Sequence, residues 1–285
     1  MYVIAGASGH VGSVVARELL AQGASVRVIT RDAAKGKEWS ERGAEVAVGS
    51  LDDTAFLTGA LRGAAGFFTL LPPDFAATDV FTAQRRTGSA IAAAVQASGV
   101  PHVVLLSSVG ADLPSGTGPI KGVHHLENDL RATGTALTAV RAGYFQENIA
   151  NSLAPARHAG IFPNFSPSAD YPMPMIATRD IGALAAECLL HPAGKHEVVD
   201  IHGPAYSIRQ LADKLGAAIG KAVVVVDIPP SAAVGAMVEA GLPRTWAEAY
   251  AEMYGGFASG QIVPKGDRFV QGHTTIDETI RSIVG

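Results

Sequence analysis

Apolar residues fall along this chain in short unbroken runs, separated by longer stretches with helical spacing. The runs are YVIAG (2 to 6), SVRVIT (25 to 30), EVAVG (45 to 49), GFFTLL (66 to 71), HVVLLSS (102 to 108) and ALTAVRAG (136 to 143). Continuous apolar runs of this length suit strands buried on both faces. Between the first two, Val11, Val15 and Leu19 recur at i, i+4 and i+8 on one helical face, and Gly23 ends the pattern. Another helix reads from about Thr78 to Ser98, where alanines and Val95 give a high-propensity surface that packs closely. The strand-helix alternation predicts an α/β fold with a doubly wound parallel sheet and right-handed crossovers.

The rhythm changes after residue 150. FPNFSPSADYPMPM (162 to 175) is proline-rich and reads as a loop, because proline neither continues a helix nor donates to a sheet ladder. RDIGALAAECLL resumes a helix, EVVDI (197 to 201) a strand, SIRQLADKLGAAIG (207 to 220) a helix and AVVVVDI (222 to 228) a strand. From Ser231 to about Gly260 the chain is helical and alanine-rich, and Thr275 and Glu278 are spaced as a capping box. The expected division is one large domain over residues 1–150, completed by about 176–202. Residues 151–175 and 203–285 would form a small, mainly helical lobe.

Composition narrows the functional classes. At 285 residues, 48% hydrophobic and 17% charged, the chain can bury a large core. Its net charge of -4 comes without a basic run, so no nucleic-acid contact is expected. No apolar run approaches the roughly 20 residues that cross a bilayer, so no membrane partner is expected either. MYVIAGASG enters a strand without a basic leader, and Cys188 is the single cysteine, which together suggest a cytoplasmic protein. Cys188 lies in a helical apolar pattern and reads as core.

The strongest chemical signal is GASGHVG, comprising Gly6, Ala7, Ser8, Gly9, His10, Val11 and Gly12. It ends an apolar strand and opens an amphipathic helix, the context that a dinucleotide-binding turn needs. Gly6 permits the tight turn, Gly9 lets backbone approach a pyrophosphate, and Gly12 lets the helix pack on the sheet. The N–H groups of the helix start then face the phosphates, and Ser8 can add a hydroxyl. His10 reads as a residue of the helix start.

The second strand ends in VRVITRDAAKGK. Arg31, helped by Lys35 and Lys37, suits the 2'-phosphate of NADP, so NADP(H) is preferred over NAD(H). Asp32 could instead serve an NAD ribose, and the segment could also be a solvated charged loop. Ligands of open parallel sheets bind beyond the carboxyl ends of strands. Those ends carry Ser50, Leu51 and Asp52, expected near the adenine. Leu70, Leu71, Pro72, Ser107, Ser108, Gly143 and Tyr144 are expected near the nicotinamide.

GASGHVG, TRD, LLSSVGAD, GVHHLENDLRATG and TAVRAGYFQENI together resemble the NmrA-like family of atypical short-chain dehydrogenases. The likeness continues through RDIGALAAECLLHP and GLPRTWAEAYAEMYGGFASGQ, nearly the whole chain. It implies a Rossmann-type NADP-binding domain with a C-terminal substrate lobe. It also implies either an NADPH-dependent reductase of quinones or similar small molecules, or a non-catalytic cofactor-sensing regulator with a protein partner. By motif, Gly6 through Val11 would hold the pyrophosphate and Arg31 the 2'-phosphate. Leu70 to Pro72, with Gly143, Tyr144, Phe145 and Asn148, would surround the nicotinamide. Asn148 could alternatively cap a helix starting near Ile149.

Ordinary short-chain dehydrogenases use a Tyr-x-x-x-Lys pair to move a proton. None of the six tyrosines here has a lysine four residues on. Relatives that keep a lysine four residues before the helix glutamate have their counterpart at Val123, while Lys121 is out of register. In KGVHHLEN, His124 and His125 lie about 100 degrees apart around a helix, so only one enters a site. His124 is the candidate proton donor, with a loop-orienting role as the equal alternative. The substrate pocket is expected to be lined by Tyr144, Phe145, Phe162, Phe165 and Tyr171, with plain core packing as the alternative for these aromatics. No G-x-S-x-G or H-E-x-x-H motif is present, and no metal is expected.

Overall fold

A computed structural model describes residues 1–285. The six apolar runs form β1 (Tyr2–Ala5), β2 (Val26–Thr30), β3 (Glu45–Val48), β4 (Gly66–Leu70), β5 (His102–Ser108) and β6 (Ala136–Ala142). They alternate with α1 (His10–Ala21), α2 (Ala33–Glu41), α3 (Thr54–Leu61), α4 (Val80–Ser98) and α5 (Ile120–Ala132). A short β7 (Tyr144–Phe145) and a 3-10 helix over Gln146–Ser152 lead into α6 (Leu153–Ala159), β8 (Ile161–Asn164), β9 (Met173–Ile176) and α7 (Thr178–Leu190). The chain continues through β10 (Glu197–His202), β11 (Ala205–Tyr206), α8 (Ile208–Ile219) and β12 (Val224–Asp227). It ends with α9 (Pro230–Glu239), α10 (Arg244–Ala258), β13 (Arg268–Gln271) and α11 (Ile276–Val284).

Eight strands form one parallel sheet in the order β3-β2-β1-β4-β5-β6-β10-β13. The direction of winding reverses between β1 and β4, and that crevice is where such sheets bind nucleotides. Period-two alternation sends neighbours to opposite faces. Phe68 joins Ile4, Val104 and Val140 under α1 and α7, whereas Phe67 joins Val3, Val103 and Leu105 under α3, α4 and α5. Both phenylalanines are fully buried. Burying a side chain of this size stabilises by about 1.5–3 kcal/mol, so the two layers need no further device to stay on the sheet.

Asp79 caps α4 by accepting from the N–H groups of Phe81 and Thr82, which starts the helix at Val80 rather than near Thr78. The Thr275–Glu278 capping box is present at α11, and Ser207 and Gln210 form another at α8.

Two expectations need correction. The segment 162–175 is not wholly loop, since β8 and β9 occupy its ends. Pro163 is tolerated because β8 pairs on one side only, with β12, and Pro174 because it sits where β9 pairs with β11 but β7 does not reach. Residues 203–285 do not belong wholly to the lobe, because β13 returns to the large sheet beside β10. Its four residues, RFVQ, are mostly exposed and give no apolar run to read. The rest of the lobe packs Phe162, Ile208, Leu211, Leu215, Ile276 and Ile280 into its own core.

At Gly12 a Cβ would run into the backbone carbonyl of Gly6, so α1 lies as close to the β1 turn as a helix can. Gly12→Ala is therefore expected to cost about 1–3 kcal/mol by overpacking, read as a lower urea midpoint with an unchanged slope.

Candidate functional site

The glycine turn has the geometry of an anion cradle. Gly6 adopts φ 67°, and the Gly9 N–H donates to the Gly6 carbonyl at 2.9 Å, closing the turn. No side chain caps α1, so its first N–H groups remain available to phosphate oxygens. These features fit a dinucleotide pyrophosphate.

Beside the turn runs an open groove of about 360 Å³ that reaches α2, lined by Ser8, His10, Ser13, Arg17, Lys35 and Trp39 among others. Arg17 and Lys35 line it and are exposed, with Glu38 also in the lining, while Arg31 is exposed just after β2 and does not line it. Arg17 went unnoticed in the sequence, although its place two turns into α1, after His10, was legible there. Asp32 accepts from the Ala34 N–H at 2.8 Å as the cap of α2, which draws it away from a ribose. Leu51 and Asp52 lie in the turn after β3, and Asp52 pairs with Arg86 at 3.5 Å.

At the other end of the crevice, Leu70 packs over Gly6, where a Cβ would come within 2.6 Å of its Cδ2. Leu71 packs against Gly122 of α5. Ser107 is buried and donates to Glu127 Oε1 at 2.6 Å, while Ser108 donates to the Val109 carbonyl at 3.0 Å. Arg141, on β6, grips the same glutamate with Nε to Oε1 at 2.9 Å and Nη2 to Oε2 at 2.7 Å. The two side chains are 5% and 1% exposed. Burial works against the Arg141 charge, but the hydrogen bonds and charge of Glu127, with Asp112 and Asp200 beyond, hold its pKa above the usual arginine value.

His124 has neither ring nitrogen free. Nδ1 donates to the Ala111 carbonyl at 2.8 Å, and Nε2 accepts from Asn128 Nδ2 at 3.2 Å. The geometry favours the loop-orienting role over proton donation. His125 is exposed, and Lys121 is held by Glu252 at 3.2 Å with its ammonium 3.8 Å above the Phe81 ring.

The expected aromatic lining is partly redistributed. Phe162 is 4% exposed inside the lobe core, and Tyr171 is 72% exposed on the surface. Phe145 packs against the main core, and Phe165 stacks on Tyr254 with ring centroids 5.7 Å apart. Aromatic rings gather instead on α10, whose Trp246, Tyr250 and Tyr254 recur at i, i+4 and i+8 on one face, with Trp246 and Tyr250 5.7 Å apart. That spacing was visible in RTWAEAYAEMYGG. Trp246 donates its indole N–H to the Asp74 carbonyl at 2.9 Å, and Phe75 lies 4.9 Å from its ring, tying the loop after β4 to the lobe. Asn148 sits inside the 3-10 helix rather than capping it.

The NmrA-like family model matches residues 2–280. The chain belongs to the NmrA-like family. Over 259 residues it is 31% identical to the NAD(P)H azoreductase of Xenophilus azovorans, covering 89% of this chain and 86% of the relative. Its fold is similar to that of the NADPH-dependent quinone oxidoreductase QOR2 of Escherichia coli in complex with NADPH. That likeness has a TM-score of 0.82 at 24% identity, over the whole of both chains. It is also similar to the Citrobacter sp. triphenylmethane reductase complexed with NADP(H), with a TM-score of 0.83 at 19% identity over 99% of this chain and 100% of that one.

In this NmrA-like chain, no helix is long and apolar enough to cross a membrane, and no cluster of three metal-ligating side chains is formed. The Arg141 partner of Glu127 was missed by the sequence reading, although an arginine within the apolar run ALTAVRA is itself a signal of a buried counter-charge.

Removing Glu127 alone would leave the Arg141 charge buried and uncompensated. Glu127→Ala should lose about 3–5 kcal/mol of stability in urea denaturation, and Glu127→Leu combined with Arg141→Met should recover most of it.

Proposed function

We propose that this NmrA-like chain is an NADPH-dependent reductase that passes hydride to a flat, easily reduced small molecule such as a quinone or an azo compound. The observation that carries the reading is the uncapped glycine turn with Arg17 and Lys35 lining the groove beside it and Arg31 exposed at the end of β2, while Asp32 is spent as a helix cap. The 31% identity with an NAD(P)H azoreductase supports the acceptor class, and the fold shared with an NADPH complex of a quinone oxidoreductase agrees with it.

In this reading Gly6, Ala7, Ser8, Gly9, His10, Val11 and Gly12 hold the pyrophosphate through backbone N–H groups and the Ser8 hydroxyl. Arg31 and Lys35, with Arg17 behind them, pair with the 2'-phosphate. Leu51 and Asp52 border the adenine. Leu70, Leu71 and Pro72 form one side of the nicotinamide site, and Ser107, Ser108, Gly143, Tyr144, Phe145 and Asn148 the other. NADPH, when bound, supplies the hydride. Ser107 and Glu127 act as a fixed floor, because their hydrogen bonds are already made inside the protein. His124 orients the loop after β5 through Ala111. We place the two-domain boundary near residue 150 and the protein in the cytoplasm, where its lone thiol, buried in the core, stays reduced.

Fluorescence titration with NADPH and NADH, followed by NADPH oxidation over quinones and azo dyes, tests the proposal. Tight NADPH binding without turnover would point to the regulatory alternative, and no binding of either nucleotide would overturn both. Arg31→Ala with Lys35→Ala should weaken NADPH about 10–100-fold, the value of lost charge-assisted bonds, while leaving NADH affinity nearly unchanged. Should NADH weaken equally, the 2'-phosphate assignment is wrong.

A further inference from the structure

The loop after β5, residues 109–119, leads into α5 and carries two glycines in the left-handed region, Gly116 at φ 75° and Gly118 at φ 55°. It has no strand or helix of its own, so its shape depends on what grips it. His124 and Gln84 hold its two ends, at the Ala111 and Pro119 carbonyls. The rest of the grip comes from one late stretch of chain. Glu252 Oε1 accepts the Gly116 N–H at 3.0 Å, the Gln261 side chain donates to the Gly116 carbonyl at 2.9 Å, and Lys265 pairs with Asp112 at 3.0 Å. α10 lies so close that a Cβ at Gly118 would run into the Ala249 carbonyl, and one at Gly256 into the Gly116 carbonyl.

Glu252 holds more than the loop. Its Oε2 takes the Lys121 ammonium of α5 at 3.2 Å, and that ammonium sits 3.8 Å above the Phe81 ring of α4. One carboxylate thus joins α10 to the loop and to α5. The Lys121 and Glu252 side chains are 22% and 34% exposed, and an ion pair this open contributes little to overall stability. The bond to the Gly116 N–H differs in kind, because it orders a glycine-rich turn that has wide conformational freedom when unheld. Lys121, out of register for proton transfer, is accounted for as part of this clasp.

Ligands of open parallel sheets lie beyond the carboxyl ends of the strands, and β5 ends at this loop. On the same helix, Trp246 holds the loop after the neighbouring β4 through the Asp74 carbonyl. α10 is therefore tied to the loops that follow two adjacent strands. We propose that Glu252 is a positioning residue, which by holding Gly116 and Lys121 together sets the loop after β5 against α10 and so shapes the place where the acceptor binds. The proposal rests on the reductase reading above and adds a residue that governs acceptor affinity without touching the reacting atoms.

Hydrogen exchange followed by mass spectrometry on the full-length chain reads the loop directly. Glu252→Ala should speed exchange across residues 109–119 about ten-fold, the value of a lost bond to a charged group, with an unchanged urea midpoint. Glu252→Gln keeps an acceptor oxygen for Gly116 and should restore protection, and Lys121→Met should leave Gly116 protected. Kinetics with tetramethyl-1,4-benzoquinone, which offers no free ring position to thiols, read the consequence. Glu252→Ala should raise its KM about ten-fold while kcat and the NADPH dissociation constant stay within about two-fold, and Glu252→Gln should return KM toward the wild-type value. Unchanged exchange in Glu252→Ala would overturn the clasp, and faster exchange with an unchanged KM would overturn its link to the acceptor. Joint losses of KM, kcat and NADPH affinity that Glu252→Gln fails to rescue would show a general structural role instead. Exchange needs no turnover, so a wild-type chain that reduces no quinone would refute the reductase reading, while exchange of residues 109–119 still decides whether Glu252 sets the loop.

Discussion

Glu127 and Arg141 face each other from α5 and β6, both almost wholly removed from water, and the geometry of the site follows from that pair. Taking two charges out of solvent costs several kcal/mol each, and only a well-aligned two-point contact with every other lone pair occupied offsets it. Here both carboxylate oxygens are taken by Arg141, one is shared with Ser107, and Arg131 approaches the other at 3.2 Å. The arrangement fixes the rotation of α5 about its axis, because turning the helix would strand both charges. That rotation in turn sets His124 against Ala111 and Lys121 against Glu252. α5 is therefore occupied with holding the end of the sheet together.

On the proposed reading, the two parts of the site would recognise their ligands by different physical means. The cofactor part would rely on backbone, with a glycine turn, an uncapped helix and nearby cations, and would suit a ligand of fixed shape and charge. The acceptor part would rely on side chains, with a row of aromatic rings on α10 and the loop after β4 tied to it through Trp246. Aromatic walls give large contact area with few rotatable bonds and little demand for one chemical outline.

Much of this was legible in the chain. The six apolar runs map onto β1 to β6 because strands covered on both faces need unbroken apolar residues, and GASGHVG marks its turn because only glycine meets the contacts at Gly6 and Gly12. Edges were harder to see. β13 shows only Phe269 and Val270 as apolar signal, and β8 and β9 hide behind prolines tolerated at positions with one free side. The site was legible where chemistry is local, as in the turn and the cations near α2. It was not legible where residues far apart meet. Glu127 and Arg141 are 14 positions apart, Trp246 and Asp74 are 172 apart, and no spacing rule joins either pair.

The distance between Asp74 and Trp246 also imposes an order on synthesis. The glycine turn, α1 and the helix α7 packed beside it are complete by Leu190, whereas α10 begins at Arg244, about 50 residues later. At about 5–20 residues per second, that gap leaves roughly 3–10 seconds in which a nascent chain can pack this face of the sheet before α10 exists. The loop after β4 therefore waits for Trp246, and it is fastened last, onto a sheet already packed.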